Sequence, residues 1–474
     1  MTSEQKMKSG LLKKIDGMED VLSVAGVGHT DYIDQLTYLL FLKMDSEGKE
    51  YEIDSLIPED CKWESLMDLS GDDLVEAYED ILKKLSERPG LVGTIFAGAT
   101  NKIKQPVYLQ KLLNMVNEDN WFMMNSDIKG DIYEKVLEKN GQDIKGGAGQ
   151  YFTPRSLIGA IVDVINPRMG ETVGDPCCGT GGFLISAYDH MFNQSRDPEK
   201  VNFLKSNALF GADIVPNVVT LASMNLYLRD IGRDKSPIVY QDSLIQNSDR
   251  VFDVVMTNPP FGKRSQGSVD VSASRPEFIP TTDNQVNFLQ HIMSIVKTGG
   301  RVAVVIPDSV LNATDNATRK VREKLLGEYN LHTILRLPTG IFYSQGVHTS
   351  VLFFDKGEAT KDIWVYDYRT GIKHTLQDHP LTRADLQDFV DCYCSGHMED
   401  RKETYDANLN PNGRWRKFTE GEIKKQENID FTWIDLEEKD KRSVNELMSE
   451  VQKDAKDIND AVMKLRDLLE GIEF

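Results

Sequence analysis

The sequence predicts an α/β protein built on a doubly wound, mostly parallel sheet, preceded by an N-terminal helical bundle and followed by a C-terminal long helix. Three observations carry that expectation. Apolar residues recur at helical spacing up to about residue 140, short apolar runs alternate with helical patterns from about 150 onward, and the closing segment carries a heptad repeat. The 474 residues allow about two to four domains. With 40% hydrophobic and 27% charged residues, the composition is that of a soluble globular protein and not of a disordered one.

Several classes are excluded before any motif is read. No apolar run reaches about 18 residues, and the N-terminus MTSEQKMKSGLLKKIDGMED has no apolar signal core, so neither a membrane span nor secretion is expected. Five scattered cysteines are an odd number and fit a reducing compartment, so the expected location is cytoplasmic. The net charge of −20 argues against a chain that grips nucleic acid by its overall field. Any DNA affinity must come from a local basic channel or from a partner.

The elements follow in order. Residues 1–140 read as a helical domain, with DYIDQLTYLLFLKM (31–44) and DLVEAYEDILKKL (73–85) as its clearest helices, and nothing in it has catalytic spacing. The polar, glycine-rich EKNGQDIKGGAG (138–149) breaks the periodicity as a linker. Over 141–430, strands are expected at 171–175, 208–213, 237–242, 251–257, 301–306, 332–337 and 349–355. Their alternation with helices implies a ligand crevice at the carboxyl ends of parallel strands. The last two runs are close enough for an antiparallel hairpin at the sheet edge. Residues 360–430 show no clear period. In 431–474, Val444, Met448, Val451, Ala455, Ile458, Val462, Leu465, Leu469 and Ile472 alternate steps of four and three, which suits a coiled-coil seam or an amphipathic helix folded on its own domain.

The segment DPCCGTGGFL (175–184) sits between a strand and a helix. Gly179, Gly181 and Gly182 permit a tight turn and close approach of a ligand to the free N–H groups of a helix start. The loop lacks the Gly-Lys-Ser/Thr ending of a nucleoside triphosphate site. The next two strands each end in an acid, Asp213 and Asp242. Each alone is more often a cap or turn acid, but at successive strand ends they favour an adenosine-containing cofactor. Cys177 and Cys178 are small residues suited to a crowded loop. Cys392, Cys394 and His397 lack the four ligands of a structural zinc site, so no metal is expected.

After the fourth strand comes Asn258-Pro259-Pro260-Phe261. The two prolines stiffen the loop, so the carbonyls of Asn258 and Pro259 cluster with the Asn258 side chain as acceptors. Acceptors on both hydrogens of an exocyclic aromatic amine favour the pyramidal nitrogen that attacks, a geometry stabilised only near the transition state. Phe261 offers a face on which a flipped-out base stacks, worth ~1–3 kcal/mol. Alone, Asn-Pro-Pro is more often a rigid turn; its place at the carboxyl end of the fourth strand after the glycine loop reverses that.

DPCCGTGGFL, NPPF and the upstream GQYFTPR (149–155) resemble the cofactor, catalytic and cofactor-clamp motifs of adenine-specific DNA methyltransferases that use S-adenosylmethionine, in the gamma order. The N-terminal domain, GDIYEKVLE before GQYFTP, and LPTGIFYSQGVHTSVLFF (337–354) are similar to the modification subunit of Type I restriction–modification systems, over about residues 8–360. Cys177 and Cys178 depart from that pattern, which often has alanine at one or both positions.

The resemblance implies a Rossmann-like methyltransferase domain in which Gln150, Tyr151, Phe152, Thr153, Pro154 and Arg155 and the Gly179-Thr180-Gly181-Gly182 loop hold the methionine moiety of S-adenosylmethionine, with Asp175 also among the cofactor-binding residues. It implies Asp213 for the ribose, Asp242 for the cofactor adenine, and Asn258, Pro259, Pro260 and Phe261 for the target adenine in DNA. It also implies a separate specificity subunit that reads the DNA, usually with two methylating chains per reader, and a restriction subunit as an optional third component. That division of labour accounts for the acidic chain. Lys263 and Arg264, in the polar loop after the catalytic motif, are candidates for DNA phosphate contacts. After attack the amine proton is expected to leave to water, without a dedicated general base. An RNA or protein methyltransferase with a similar Asn-Pro-Pro loop, and a non-catalytic scaffold of the same fold, are the alternatives.

Overall fold

The computed structural model describes residues 3–51, 53–122, 133, 153–246, 250–264, 269–342, 347–369, 374–375 and 379–434. The expected linker, Gln150, Tyr151 and Phe152, and the heptad seam of 444–472 lie outside the described residues. Among the described residues, no helix is long and apolar enough to cross a membrane.

The N-terminal part is a helical bundle containing α1 (Ser3–Val24), α2 (Tyr32–Gly48), α3 (Asp72–Ser86), α4 (Gly90–Ile95) and α5 (Pro106–Asn117). Helix α3 shows why. Leu74, Tyr78, Ile81, Leu82 and Leu85 form one buried stripe, with acids in the first turn and lysines in the last to suit the helix dipole. Helix α2, by contrast, is buried on nearly all sides. One of its neighbours is the helix Pro216–Tyr227 of the second unit: Phe41 and Tyr227 have ring centroids 4.9 Å apart, and the Asn217 amide donates to Asp34 Oδ2 at 2.9 Å. Met224, Tyr227 and Leu228 thereby join the core of the bundle.

From residue 155 the chain alternates, with α6 (Arg155–Ile165), β1 (Val173–Asp175), α7 (Gly182–Phe192), α8 (Pro198–Ser206), β2 (Leu209–Asp213), α9 (Pro216–Tyr227), β3 (Ile238–Tyr240), β4 (Phe252–Thr257), α10 (Asn284–Ile295), β5 (Val296–Pro307), α11 (Asn316–Glu328), β6 (Tyr329–Leu337), β7 (Thr349–Lys356), β8 (Asp362–Asp367) and β9 (Trp415–Thr419). The nine strands form one sheet in the order β3-β2-β1-β4-β5-β7-β6-β8-β9. All neighbours from β3 to β5 are parallel. Apolar cores lie on both faces: Val254, Met256, Ala303 and Val305 pack with Leu157, Ile161 and Leu184 on one side, whereas Val255, Val302 and Val304 pack with Leu289, Ile292 and Leu325 on the other. Burial of both alternating sets is why these strands read as unbroken apolar runs.

Two expectations are corrected, and the segment without a clear period proves to carry strands. The β6–β7 pair is antiparallel, but β7 inserts between β5 and β6, and β8 and β9 extend the sheet beyond them, so the hairpin is not at the edge. Residues 360–430 supply those two outer strands. Their pattern is hard to read because Trp364, Tyr366 and Trp415 put aromatic rings, not aliphatic alternation, on one face. Finally, β3 stops at Tyr240, so Asp242 lies in the following turn and not at the strand terminus.

Candidate active site

The chain runs from β1 outward to β2 and β3, then crosses to β4 on the other side of β1. The crevice of a doubly wound sheet opens at such a reversal, beyond the carboxyl ends of the strands. The glycine loop leaves β1 there and the Asn-Pro-Pro loop leaves β4 beside it.

Between β1 and α7 the backbone turns through Gly179 and Gly181, whose φ values of 52° and 82° are left-handed and favour glycine. Gly182 has a second reason, since an added Cβ would come 2.0 Å from the Arg155 Nη1 atom. The loop is pinned from three directions. Asn225 Nδ2 donates to the Thr180 carbonyl (3.0 Å), Ser243 Oγ to the Pro176 carbonyl (2.6 Å), and the Cys178 N–H to the Ala212 carbonyl (2.9 Å).

The three acids have different surroundings. Asp175 is buried and accepts from Thr257 Oγ1 (2.6 Å) and the Cys177 N–H (3.3 Å). Burial pushes its carboxyl up to about 7, outweighing those hydrogen bonds. Asp213 accepts the Gly179 N–H (3.1 Å) and the Val215 N–H (3.0 Å), so it ties the glycine loop to the end of β2; burial raises its carboxyl too. A carboxylate has about four acceptor sites, which leaves Asp213 capacity for a diol. Asp242 accepts the Leu244 N–H (3.0 Å) and Arg264 Nη2 (2.9 Å). The thiols of Cys177 and Cys178 are pushed well up by burial, which keeps them unreactive.

The Asn-Pro-Pro loop is bound to its surroundings by side chains. Thr257, the last residue of β4, reaches Asp175 and also lies 2.9 Å from Cys177 Sγ, joining the ends of β4 and β1. Asn258 Nδ2 donates to Thr153 Oγ1 at 2.9 Å, while Asn258 Oδ1 is buried without a hydrogen-bond partner. The Pro260 carbonyl accepts from Gln285 Nε2 at 3.0 Å, on the first turn of α10. Phe261 is half-buried and meets Phe342 edge-on, with centroids 6.2 Å apart.

The fold therefore brings together Thr153, Pro154, Arg155, Asp175, Gly179 to Gly182, Asp213, Asp242 and Asn258 to Phe261. Arg264 is near them too, but as the ion-pair partner of Asp242. Thr153 stands beside Asn258. Sequence reasoning missed Thr257, Gln285 and Phe342 as supports; Phe342 lies in the segment LPTGIFYSQG that carried the resemblance, whereas Gln285 has no local signal. Among the described residues, the one acidic or histidine cluster close enough to share an ion is His397, Glu399 and Asp400, all exposed, and neither Cys392 nor Cys394 belongs to it.

Residues 124–428 match the family model described as N-6 DNA Methylase, and residues 11–116 match the HsdM N-terminal domain. The chain belongs to the N-6 DNA methylases of the Type I modification-subunit kind. The methylase subunits of the Type I restriction enzymes StySJI from Salmonella typhimurium (strain LT2) and EcoKI from Escherichia coli (strain K12) are each 35% identical to it, over 92% of this chain and 89% of theirs. A modification subunit of a putative type I restriction enzyme from Vibrio vulnificus YJ016 superposes with a TM-score of 0.75 at 26% identity, covering 91% of this chain and 97% of that one. A chain solved in work on complex assembly and conformational transition of the type I R-M system gives 0.76 at 25% identity, covering 98% and 99%. The modification subunit is thus an adenine N6 DNA methyltransferase, and the RNA and protein methyltransferase alternatives find no support.

Proposed function

We propose that the modification subunit takes its methyl group from S-adenosylmethionine and that the crevice divides into a cofactor half and a base half. In the cofactor half, Gln150 to Phe152, Pro154, Arg155 and the Gly179–Gly182 loop hold the methionine moiety with Asp175 beside them, Asp213 the ribose and Asp242 the adenine, while Thr153 serves the base half by engaging the Asn258 amide. The residues fit that ligand. The turn is left-handed at Gly179 and Gly181, the space beside Gly179 is open, and acids stand at the end of β2 and in the turn after β3. Bound there, the cofactor supplies a methyl group on a sulfonium, an electrophile strong enough that the amine need not be deprotonated first.

In the base half, Asn258 Oδ1 and the Pro259 carbonyl accept the two hydrogens of the target amine, favouring the pyramidal nitrogen. Phe261 stacks on the base, braced by Phe342, and Pro260 holds the loop rigid through Gln285. The proton leaves to water after attack. One observation carries this reading, namely that Asn258 Oδ1 is buried and unpartnered while its Nδ2 is engaged by Thr153. An orphaned buried acceptor costs ~1–3 kcal/mol, which the fold bears at the atom where a substrate hydrogen would satisfy it.

The further expectations are a cytoplasmic complex on duplex DNA with a specificity subunit, two methylating chains per reader, and a restriction subunit as an optional member. The acidic charge of the chain supports sequence reading by another subunit. Asn258→Ala tests the site. Calorimetry should show cofactor binding within about twofold of wild type, while methylation by the assembled complex falls by about 10²–10³. A folded variant that loses both equally contradicts the division into two halves.

A further inference from the structure

Asp242 and Arg264 are assigned separately above, one to the cofactor adenine and the other to DNA phosphate, yet they form one ion pair. Arg264 Nη2 lies 2.9 Å from Asp242 Oδ2, with the two side chains 17% and 22% exposed. The backbone on the Arg264 side of this link is anchored elsewhere. The Arg264 N–H donates to the Thr282 carbonyl (3.0 Å), the Asn284 N–H donates to the Gly262 carbonyl (3.1 Å), and Lys263 pairs with Asp283 as an antiparallel bridge. Among the described residues, the Arg264 side chain makes this polar link to the turn after β3, while its own backbone is held on the side of Thr282.

The pairing is also incomplete. A guanidinium matches a two-oxygen acceptor through two parallel N–H groups. Here one nitrogen reaches Asp242, and Arg264 Nε is buried without a hydrogen-bond partner. Asp242 meanwhile has a donor on each oxygen, Leu244 N–H on Oδ1 and Arg264 on Oδ2. A purine amine arriving at this carboxylate competes with a cation held by one end.

We propose that Arg264 is a latch on the cofactor pocket, closed on Asp242 when the pocket is empty and released to a DNA phosphate when the cofactor adenine takes its place. The proposal rests on reading Asp242 as the adenine acceptor. A phosphate offers the guanidinium both oxygens, so the released cation gains the second hydrogen bond that Asp242 does not supply, and it is not left buried and unpaired. Because one side chain answers to both ligands, cofactor and DNA bind with positive coupling, and by linkage the effect is equal in both directions.

Titration of S-adenosylmethionine into the full-length chain tests the latch, using wild type, Arg264→Ala, Arg264→Gln and Asp242→Asn. Both Arg264 variants should bind cofactor about tenfold more tightly, as expected if one charge-assisted hydrogen bond keeps the open pocket at roughly a tenth of the population. In the complex with its specificity subunit, S-adenosylhomocysteine should tighten DNA binding for wild type but not for the Arg264 variants. Unchanged or weaker cofactor binding by both Arg264 variants, with Asp242→Asn still weakened, overturns the latch and leaves the Asp242 assignment standing. Unchanged binding by Asp242→Asn removes that assignment and the latch together.

Discussion

Thr153→Val is the most informative single change, because the resemblance places Thr153 with the cofactor and the folded chain places it against Asn258. The substitution keeps the branched shape and deletes only the hydroxyl that accepts from Asn258 Nδ2 at 2.9 Å. One neutral hydrogen bond is worth about 0.5–1.5 kcal/mol net. If that energy serves to hold the Asn258 amide with Oδ1 toward the base, its loss lowers the competent population, and a single-turnover rate, by about 2- to 13-fold. The fall should be smaller than the loss on deleting the amide itself. The assay pairs single-turnover methylation of duplex DNA at saturating cofactor with calorimetric titration of S-adenosylmethionine. The rate should drop while cofactor affinity stays within about twofold, and Thr153→Ser should restore the rate. A tenfold weaker cofactor affinity with an unchanged rate would refute the positioning role and return Thr153 to the cofactor clamp.

Phe261→Tyr should keep most methylation and Phe261→Ala lose ~10-fold or more, since stacking needs only an aromatic face; equal loss in both would end the stacking assignment. Asp34, buried between α2 and α9, has its carboxyl pushed up to about 7, first by burial and then by Asp31. Its unfolded value is about 3.9, so the folded chain binds the extra proton between those values and loses stability as pH rises from about 4 to 7. Asp34→Asn should therefore remove a cost on the order of 4 kcal/mol at pH 8 and nothing below pH 4; denaturant midpoints that track wild type at both pH values would contradict this. Truncation before Val444 should leave cofactor binding intact while abolishing co-purification with the specificity subunit, whereas normal assembly would show that the heptad seam is an internal brace.

How much the chain disclosed depended on the range of the interaction involved. The glycine loop, Asn258 to Phe261 and the inner strands are local features, set by backbone freedom at Gly179 and Gly181, by proline rigidity and by apolar runs such as VFDVVMT. They were legible because neighbouring residues alone impose them. The family resemblance rested on the same short segments. What tertiary structure decided is which distant polar atoms meet. Thr153 and Asn258, Asp175 and Thr257, Pro260 and Gln285, and Asp242 and Arg264 are all partners across separate elements. A hydrogen bond needs its atoms within about 3 Å in a defined direction, and periodicity carries no such information. The position of β7 between β5 and β6 was hidden for a related reason. An apolar run records that both faces of a strand are covered, but its neighbours in the sheet are chosen by pairing across the whole chain.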